Sequence, residues 1–311
     1  MITGPTGVGK TELTLRVAER FGCPIVSADS RQIYREIPIG TAAPTAEELQ
    51  RVKHYFVGTK SVTEDFSAGK FERECVALLG ELVESRKSKV ESGPFAILTG
   101  GSMLYIDAVC KGFDDIPAVR EEVQQEIRRK YEEGGLAWLQ QEVARVDRVY
   151  WDKVDRSNPQ RLLHCIEVTT SSGRPYSEFR KREDGGSVTK RDFEIVKVGL
   201  ERPREELYAR INRRVDEMMA AGLEEEARAV YPLRKYNSLQ TVGYRELFDY
   251  FDGKITREEA IRLIKQNSRH YAKRQMTWFR ADKTIHWLDA NKDYEEQMDT
   301  ITDWLRAGGV Q

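Results

Sequence analysis

The chain has 311 residues, of which 40% are hydrophobic and 32% charged, and its formal net charge is −1. This composition is typical of an ordinary soluble protein, and no apolar run approaches the roughly 20 residues that a membrane span needs. The length predicts one α/β domain with an insertion. The net charge does not indicate a nucleic-acid partner, although a local basic surface would be enough to bind one.

Cysteine usage and the start of the chain both favour the cytoplasm. The cysteines form no C-x-x-C pair, so neither a zinc site nor a disulfide framework is indicated. They are Cys23, Cys75, Cys110 and Cys165. Only residues 1–3 precede the first motif, so the first strand is either truncated or unusually short. In both cases we expect no signal peptide.

The first motif is a phosphate-binding loop. Residues 4–11 read GPTGVGKT, an unbroken G-x-x-x-x-G-K-[ST] pattern whose glycines let successive backbone N–H groups point at phosphate oxygens. Lys10 adds a positive charge over the terminal phosphates, and the Thr11 hydroxyl is placed to hold Mg²⁺. A helix over 12–21 adds the partial positive charge of its N-terminus. The motif predicts a nucleotide-type (ATP-binding) di- or triphosphate site, against the alternative of a chance glycine-rich turn.

Two further buried strands end in polar or small residues. Residues 24–28 are typical of a parallel strand that ends at Asp29, and residues 95–99 of another that runs into Gly100, Gly101 and Ser102. Ligands bind at the carboxyl ends of the strands in open α/β sheets, so Asp29 and Ser102 should face the phosphate loop. A helix N-cap is the alternative role for Asp29.

The rest of the chain is predicted to be mostly helical. Helices are expected over 47–53, 71–89, 103–110, 205–220, 224–230 and 258–280, with one more strand over 192–199. Between residues 114 and 185, charged helices over 119–132, 136–143 and 159–170 replace the strand–helix alternation, and Trp138 and Leu139 should fill a local core. We therefore predict an α/β fold: a P-loop NTPase-like parallel-sheet core over 1–113 and 186–311, with a helical insertion domain over 114–185.

The long helix over 258–280 interleaves basic and aromatic residues. Positive charges beside stacking side chains are typical of a nucleic-acid surface, whereas a solvated basic face is the alternative. The basic members are Arg262, Lys265, Arg269, Lys273, Arg274 and Arg280.

A phosphate loop with a strand-end aspartate fits three classes of enzyme. A small-molecule kinase would use Asp29 to activate a hydroxyl for phosphoryl transfer. A nucleotide-hydrolysing switch would bind GTP or ATP, but the guanine-reading N-K-x-D signature is absent. A third class would hold the diphosphate of an activated substrate as a leaving group while the attached carbon is attacked. The residues alone do not separate the first class from the third.

Several stretches, in order and over nearly the whole chain, resemble the tRNA dimethylallyltransferases, also called tRNA isopentenyltransferases. They are GPTGVGKT (4–11), SADSRQIYREIPIGTA (27–42), TGGSMLY (99–105), NPQRLLHCIEV (158–168), LYARINRRVDEMMAAGLEEEA (207–227), QTVGYRE (240–246) and KRQMTWFR (273–280). The phosphate loop is not specific to that family, whereas DS-x-Q-x-Y, Q-x-x-G-Y-[RK] and KRQ-x-TW-[FL]-R together are highly so. The resemblance implies a cytoplasmic, monomeric transferase of tRNA modification with no obligate protein partner.

The resemblance also implies the reaction, in which a dimethylallyl group passes from dimethylallyl diphosphate to the exocyclic amine of the adenosine 3′ of the tRNA anticodon. Asp29 resembles the general base that accepts the proton of this weakly nucleophilic amine. Ser102 would hydrogen-bond at the reaction centre, and Lys10, Arg214 and Arg210 would neutralise the leaving diphosphate. With Mg²⁺, the diphosphate would be held by Gly4, Pro5, Thr6, Gly7, Val8, Gly9, Lys10 and Thr11.

The same resemblance implies contacts with the anticodon stem-loop. A stacked base must be extruded before its amine can react, so recognition falls on single-stranded bases and loop shape. Ser30, Arg31 and Gln32 would read bases beside Asp29 and Ser102, and the insertion would close over the anticodon arm. The further predicted tRNA contacts are Arg120, Gln160, Arg161, Gln240, Gly243, Tyr244, Arg245, Lys273, Arg274, Gln275, Trp278 and Arg280.

Some positions depart from the family pattern. Ala43 replaces a common Lys, and His164 and Cys165 replace a common Arg-Ala pair; each change removes a possible phosphate contact and bears on tRNA affinity. Ser102 stands where Thr is frequent and keeps the hydroxyl. Two rival functions remain: a small-molecule kinase, and a non-catalytic RNA-binding protein that retains the loop. Intact Lys10 and Asp29, together with Thr11, argue against the second.

Overall fold

The computed structural model describes residues 1–87, 94–112, 114, 116–117, 119–180 and 191–307. The chain divides into a larger unit, Met1–Cys110 with Arg191–Gln311, and a smaller unit, Lys111–Lys190. Of the predicted domain junctions, residues 113, 185 and 186 lie outside the described residues.

The larger unit is built on a parallel sheet. Among the described residues, six strands follow the order β3-β2-β4-β1-β5-β6. They are β1 (Ile2–Thr3), β2 (Ile25–Ser27), β3 (His54–Tyr55), β4 (Ile97–Gly100), β5 (Val198–Glu201) and β6 (His286–Asp289). All neighbouring strands pair in parallel, which needs a crossover between them, usually through a helix. This arrangement confirms the predicted α/β class.

Helices provide those crossovers and surround the sheet. In the larger unit they are α1 (Lys10–Phe21), α2 (Pro38–Thr41), α3 (Ala46–Arg51), α4 (Ala68–Lys87), α5 (Met103–Lys111, whose last residue belongs to the smaller unit), α9 (Arg204–Ala220), α10 (Leu223–Val230), α11 (Tyr244–Phe251), α12 (Arg257–Ala281) and α13 (Tyr294–Ala307). In the smaller unit they are α6 (Glu121–Val146), α7 (Arg148–Trp151) and α8 (Pro159–Ser172). The predicted helix over 71–89 begins earlier, at Ala68, and its residues 88 and 89 lie outside the described part of the chain.

One strand lies later in the chain than predicted. The pattern over 192–199 indicated a strand, but β5 occupies Val198–Glu201. The strand begins where neighbouring strands are available to pair with it. Strand β1 pairs with β5 only at Val198 and Gly199, and β6 pairs with the β5 residues from Val198 to Glu201. Just before Val198, only single backbone bonds remain among the described residues, in which the Val196 carbonyl oxygen accepts from the Met1 amino group (2.7 Å) and the Lys197 carbonyl oxygen accepts from the His286 N–H (2.8 Å). The strand therefore begins where both neighbours pair with it, whatever the intrinsic preference of the earlier residues.

The register brings the ends of three strands to one edge of the sheet. Ile2 of β1 pairs with Thr99 of β4, and Ser27 of β2 pairs with the same Thr99. Because parallel strands end on the same side, the phosphate loop after β1, Asp29 after β2 and Ser102 after β4 leave the sheet together. Buried apolar side chains of α1 and β5, including Leu13, Leu15 and Leu200, pack beneath this edge.

The smaller unit has its own hydrophobic core. Leu139 and Leu162 are fully buried in it, and Trp138 packs partly buried against it, as predicted. The two helices predicted over 119–132 and 136–143 form the single element α6, which is interrupted at Gly135 with φ 61° and ψ −161°. Helix α8 begins at Pro159 after Asn158, whose side chain accepts a hydrogen bond from the Arg161 N–H (3.3 Å).

In the part of the chain that the structure describes, no helix combines the length and the apolar character needed to cross a membrane.

Candidate active site

The phosphate loop depends on its glycines. Gly4, Gly7 and Gly9 have φ values of 147°, 79° and 112°, which side-chain-bearing residues rarely adopt. A Cβ on Gly4 would lie 2.7 Å from the Leu200 carbonyl oxygen, and one on Gly7 would lie 2.9 Å from the Ile211 side chain. The loop is thus pressed against β5 and α9 where the sheet edge meets the first turn of α1.

Positive charge is concentrated at this loop. The Lys10 ammonium donates hydrogen bonds to the carbonyl oxygens of Gly4 (2.9 Å) and Pro5 (3.0 Å). Burial and the positive charge of Arg214 lower the pKa of Lys10 to about 8, and the Asp29 carboxylate opposes the change. Burial also lowers the pKa of Arg214, again against the effect of Asp29. Arg210 lies at the same loop, where its Nε donates to the Gly7 carbonyl oxygen (2.9 Å).

The carboxylates of Asp29, Glu217 and Glu48 favour the charged form of Arg214 from a distance. Among the described residues, the half-buried Arg214 guanidinium forms no hydrogen bond or ion pair, although guanidinium groups removed from solvent are normally paired. The charge of Arg214 lowers the pKa of Lys10, and the charge of Arg210 contributes to the lowered pKa of Arg214. Such mutually close cations, beside the N-terminus of a helix, form a site that a polyanion would stabilise. The residues therefore fit a bound diphosphate.

Asp29 has one oxygen fixed by the protein and one left over. Oδ1 accepts hydrogen bonds from the backbone N–H groups of Arg31 (2.9 Å) and Gln32 (3.3 Å). These bonds close a turn and do not cap a helix, since the next helix, α2, begins only at Pro38, and they hold the carboxyl group in one orientation. No hydrogen bond to Oδ2 is recorded within the described residues. Asp29 can therefore cap its turn and still offer an oxygen to a substrate.

Ser102 lies beside Asp29 and is tied to the same turn. Its Oγ accepts a hydrogen bond from the Ser30 N–H (2.8 Å) and donates one to the Ser30 Oγ (3.1 Å). The side chain is 7% exposed. Tyr271 lies near the same two residues. Burial and the charge of Asp29 raise the pKa of Tyr271 to about 12, and a hydrogen bond with Ser102 opposes the rise.

The predicted readers Arg31 and Gln32 are engaged with the protein itself. Arg31 donates to the carbonyl oxygens of Asn237 and Ser238, each at 3.1 Å. The Gln32 amide donates to the Thr41 (3.3 Å) and Ala42 (2.9 Å) carbonyl oxygens and accepts from Ser27 (3.2 Å). These bonds order residues 30–42 into one loop next to Asp29. Whether Ser30, Arg31 and Gln32 contact tRNA stays a prediction.

The prediction that Gln275 contacts tRNA needs correction. This side chain is 1% exposed. Its Oε1 accepts from the Thr6 N–H of the phosphate loop (2.9 Å), and its Nε2 donates to the Gly101 carbonyl oxygen (2.7 Å). Both ends of the amide are hydrogen-bonded within the protein, and the burial of the side chain keeps it from the surface where an RNA base would bind.

Tyr244 and Gly243 are buried as well, which argues against their predicted contact with tRNA. The Tyr244 hydroxyl donates to the Glu226 carboxylate (2.5 Å), whose oxygens also accept the backbone N–H groups of Ile39 and Gly40, each at 2.8 Å. A Cβ on Gly40 would collide with the Tyr244 ring, so the ring and loop fit only because residue 40 is glycine. The QTVGY motif therefore supports the loop that carries Gln32. Gln240 and Arg245 of the same motif are exposed.

The outer face of α12 carries the exposed predicted contacts. Lys273 and Arg274 point to solvent, and Trp278 is 43% exposed, which is unusual for so large an apolar side chain. Arg280 is exposed too, but it forms an ion pair with Glu201 (2.9 Å). A basic face with an exposed aromatic ring has the composition that single-stranded nucleic acid favours.

The remaining predicted contacts belong to the smaller unit. Arg120 is the exposed N-cap residue of α6. Gln160 and Arg161, at the start of α8, line a pocket of about 410 Å³ together with Tyr150, Lys153, Val154, Asn158, His164, Tyr176 and Arg180. The pocket wall includes His164, one of the departures from the family pattern, and His164 packs edge-on against Tyr176.

The residues at the loop fit a Mg²⁺ ion that is held mainly by its substrate. Thr11 lies in the first turn of α1 and is exposed. Within the described ranges, no group of three or more His, Cys, Asp and Glu side chains could form a metal cage. Mg²⁺ commonly binds through one or two protein oxygens and substrate phosphates, so the Thr11 hydroxyl and a diphosphate would suffice.

Sequence reasoning missed two contributors to this site. Arg202, just after β5, donates to the Val8 carbonyl oxygen (3.4 Å), and a Cβ on Gly9 would lie 3.9 Å from its guanidinium. Glu226 is the last of three consecutive glutamates at the start of α10. Negative charge is common there because it complements the helix dipole. No local signal distinguishes Glu226 from its neighbours; only its tertiary partners do.

Together, the fold and the site define a phosphate-loop α/β enzyme with an aspartate, a serine and a cationic cluster at one sheet edge. The family model described as IPP transferase matches residues 32–282, and the chain belongs to this family. A tRNA dimethylallyltransferase from Parabacteroides distasonis is 53% identical over 93% of this chain and 93% of its own length.

Solved structures agree with the family. A full-length tRNA isopentenylpyrophosphate transferase from Bacillus halodurans superposes with a TM-score of 0.68 at 34% identity, covering 99% of this chain and 95% of its own. A eukaryotic dimethylallyltransferase, solved while acting on tRNA, has a TM-score of 0.76 over 98% of this chain and 79% of its own. At 22% identity this second likeness supports the fold alone.

Proposed function

We propose that this protein transfers a dimethylallyl group from dimethylallyl diphosphate to the exocyclic amine of the adenosine 3′ of a tRNA anticodon. Its curated relatives carry the name of this activity. The observation that supports the proposal most directly is that the cations Lys10 and Arg214, whose pKa values are lowered by burial and by neighbouring positive charge, lie at the same sheet edge as the oriented Asp29 carboxylate.

The proposed reaction divides between these two groups. The amine nitrogen forms a bond to the allylic carbon while the bond from that carbon to the diphosphate oxygen breaks. Lys10, Arg214 and the N–H groups of the loop stabilise the negative charge that develops on the departing diphosphate. Oδ2 of Asp29 accepts the proton that the amine loses, because Oδ1 is already held by two backbone N–H groups.

Ser102 and the bound ion complete the proposed site. The Ser102 hydroxyl, held by Ser30, keeps the Asp29 turn against the end of β4. When bound, Mg²⁺ supplies further positive charge to the diphosphate oxygens, with Thr11 as its protein ligand. We also propose that the protein works in the cytoplasm as a monomer, with unmodified tRNA and dimethylallyl diphosphate as its partners.

The test is a transfer assay with radiolabelled dimethylallyl diphosphate, Mg²⁺ and an unmodified tRNA that has adenosine after its anticodon. We expect label to enter the RNA. Asp29→Asn keeps an oxygen for the turn but offers a far weaker base, so transfer should fall by roughly 100-fold or more while tRNA affinity changes little.

The controls separate the rival functions. Asp293→Asn removes an exposed carboxylate near the N-terminus of α13 and should leave transfer unchanged. ATP consumption with a small hydroxyl acceptor and no labelled RNA would assign the chain to the kinase class. Tight tRNA binding with no turnover of either kind would favour a non-catalytic RNA-binding protein.

A further inference from the structure

Helix α12 has two faces with different surroundings. One face exposes Lys273, Arg274 and Trp278 to solvent. The opposite face buries Gln275 and Phe279. Tyr271 lies one turn before Gln275, and its hydroxyl donates to the Gly101 carbonyl oxygen (3.4 Å). The helix proposed to receive RNA therefore also forms the back of the reaction site.

Gln275 joins two walls of that site through a single amide group. It accepts the Thr6 N–H from the phosphate loop and donates to the carbonyl oxygen of Gly101, next to Ser102. The contact requires glycine at position 101, since a Cβ there would collide with the Gln275 nitrogen. The distance between the phosphate loop and the Asp29–Ser102 edge is thus bridged by one buried side chain.

We propose that Gln275 is a positioning residue that sets the alignment between the diphosphate held by the loop and the amine acceptor beside Asp29. This inference rests on the proposed function and deepens it. Gln275 touches neither substrate; it acts through Thr6 and Gly101. Because a misplacement of about 1 Å can cost on the order of 100-fold in rate, losing this bridge should affect turnover more than the binding of either substrate.

The test compares Gln275→Met with Gln297→Met. Gln297, in α13, is also a buried glutamine, 2% exposed, but its amide nitrogen donates to the Lys292 carbonyl oxygen (2.7 Å) and not to the phosphate loop. We expect Gln275→Met to lower kcat by roughly 10- to 100-fold with changes of about threefold or less in the KM of dimethylallyl diphosphate and tRNA. Gln297→Met should retain the kcat of the unmodified chain.

A second variant gives a signature that a purely structural role would not. In Gln275→Glu, the protonated carboxyl can both accept from Thr6 and donate to Gly101, whereas the ionised form cannot donate. Burial raises the pKa of such a carboxyl. The kcat of this variant relative to the unmodified chain should therefore rise as the pH is lowered from 8 to 6, whereas the same ratio for Gln275→Met should stay flat.

Amide hydrogen exchange provides a readout that does not need turnover. The Thr6 N–H should exchange at least about tenfold faster in Gln275→Met, because its hydrogen-bond acceptor is lost. Gln297→Met should leave that amide unchanged. Unchanged kcat in Gln275→Met would overturn the positioning role, as would equal losses of kcat and Tm in both methionine variants. If the unmodified chain transfers no label, the proposed function fails, and unaltered exchange at Thr6 would then refute the bridge separately.

Discussion

At the scale of single residues, Lys10 lies where burial and a neighbouring positive charge disfavour its protonated form. Burial and Arg214 bring its pKa to about 8, so a substantial fraction of the protein loses this charge in mildly alkaline solution. A bound diphosphate would favour the charged ammonium and raise the pKa again. Binding would therefore take up a proton near this pH.

We expect the affinity for inorganic diphosphate to fall as the pH rises above about 8. The sign follows from linkage: the complex keeps Lys10 protonated while the free protein loses the proton, so each further pH unit costs up to about tenfold in Kd. Calorimetric titrations at pH 8 in two buffers with different ionisation enthalpies would measure the proton uptake directly. In Lys10→Arg the guanidinium stays charged, so the uptake should disappear. Equal heats in both buffers for the unmodified chain would contradict this account.

At the scale of elements, α12 shows how one helix combines structural and binding residues. Its sequence interleaves basic, aromatic and amide side chains, and five residues of the KRQMTWFR motif were predicted to contact tRNA: Lys273, Arg274, Gln275, Trp278 and Arg280. The helical period instead divides them, and Lys273 is exposed while Gln275, two residues later, is buried. Membership of a sequence motif therefore does not show that a residue is exposed; the orientation of the helix must also be known.

Lys273→Ala should weaken tRNA binding by removing a phosphate contact. Because each such contact releases counterions, the slope of log K against log salt should become shallower by about one. Filter binding at several salt concentrations measures the slope, and kcat at saturating tRNA should remain unchanged. Lys254→Ala is the control, since Lys254 pairs with Asp249 (2.9 Å) in the segment before α12. An unaltered slope in Lys273→Ala would exclude a phosphate contact at this position.

At the scale of the whole molecule, the two units have separate hydrophobic cores. Leu162 belongs to a cluster formed only by residues of the smaller unit, and Leu247 to one formed only by residues of the larger unit. Each of these leucines is fully buried. Side chains in one core do not fill space in the other, so damage to one should remain local.

Leu162→Ala should destabilise the smaller unit by about 2–5 kcal/mol through loss of burial and creation of a cavity. Hydrogen exchange followed by mass spectrometry should then show faster exchange in peptides from residues 119–180 and little change around the phosphate loop. Leu247→Ala should give the converse pattern. Uniformly faster exchange across both units in either variant would mean that they unfold as one.

Much of the fold and part of the site could be predicted because their signals are local. The phosphate loop is one contiguous segment, and the spacing of its glycines, Lys10 and Thr11 is enough to predict its geometry. The parallel strands are short apolar runs, and their carboxyl ends share one edge, which was enough to associate Asp29 and Ser102 with the loop. The predicted start of β5 was wrong because strand boundaries depend on which neighbouring strands are present as well as on the strand's own residues.

The sequence by itself determined the class of fold and the family and predicted a phosphate site, since each rests on periodicity or on motifs read along the chain. Only the tertiary structure decided which motif residues are buried and hydrogen-bonded within the protein and which are exposed. Gln275 forms a hydrogen bond with Thr6, and Tyr244 forms one with Glu226. These partners lie outside the motifs that contain Gln275 and Tyr244, so the motifs do not predict the bonds. A buried amide or hydroxyl must find a hydrogen-bond partner, and packing from distant elements alone supplies it.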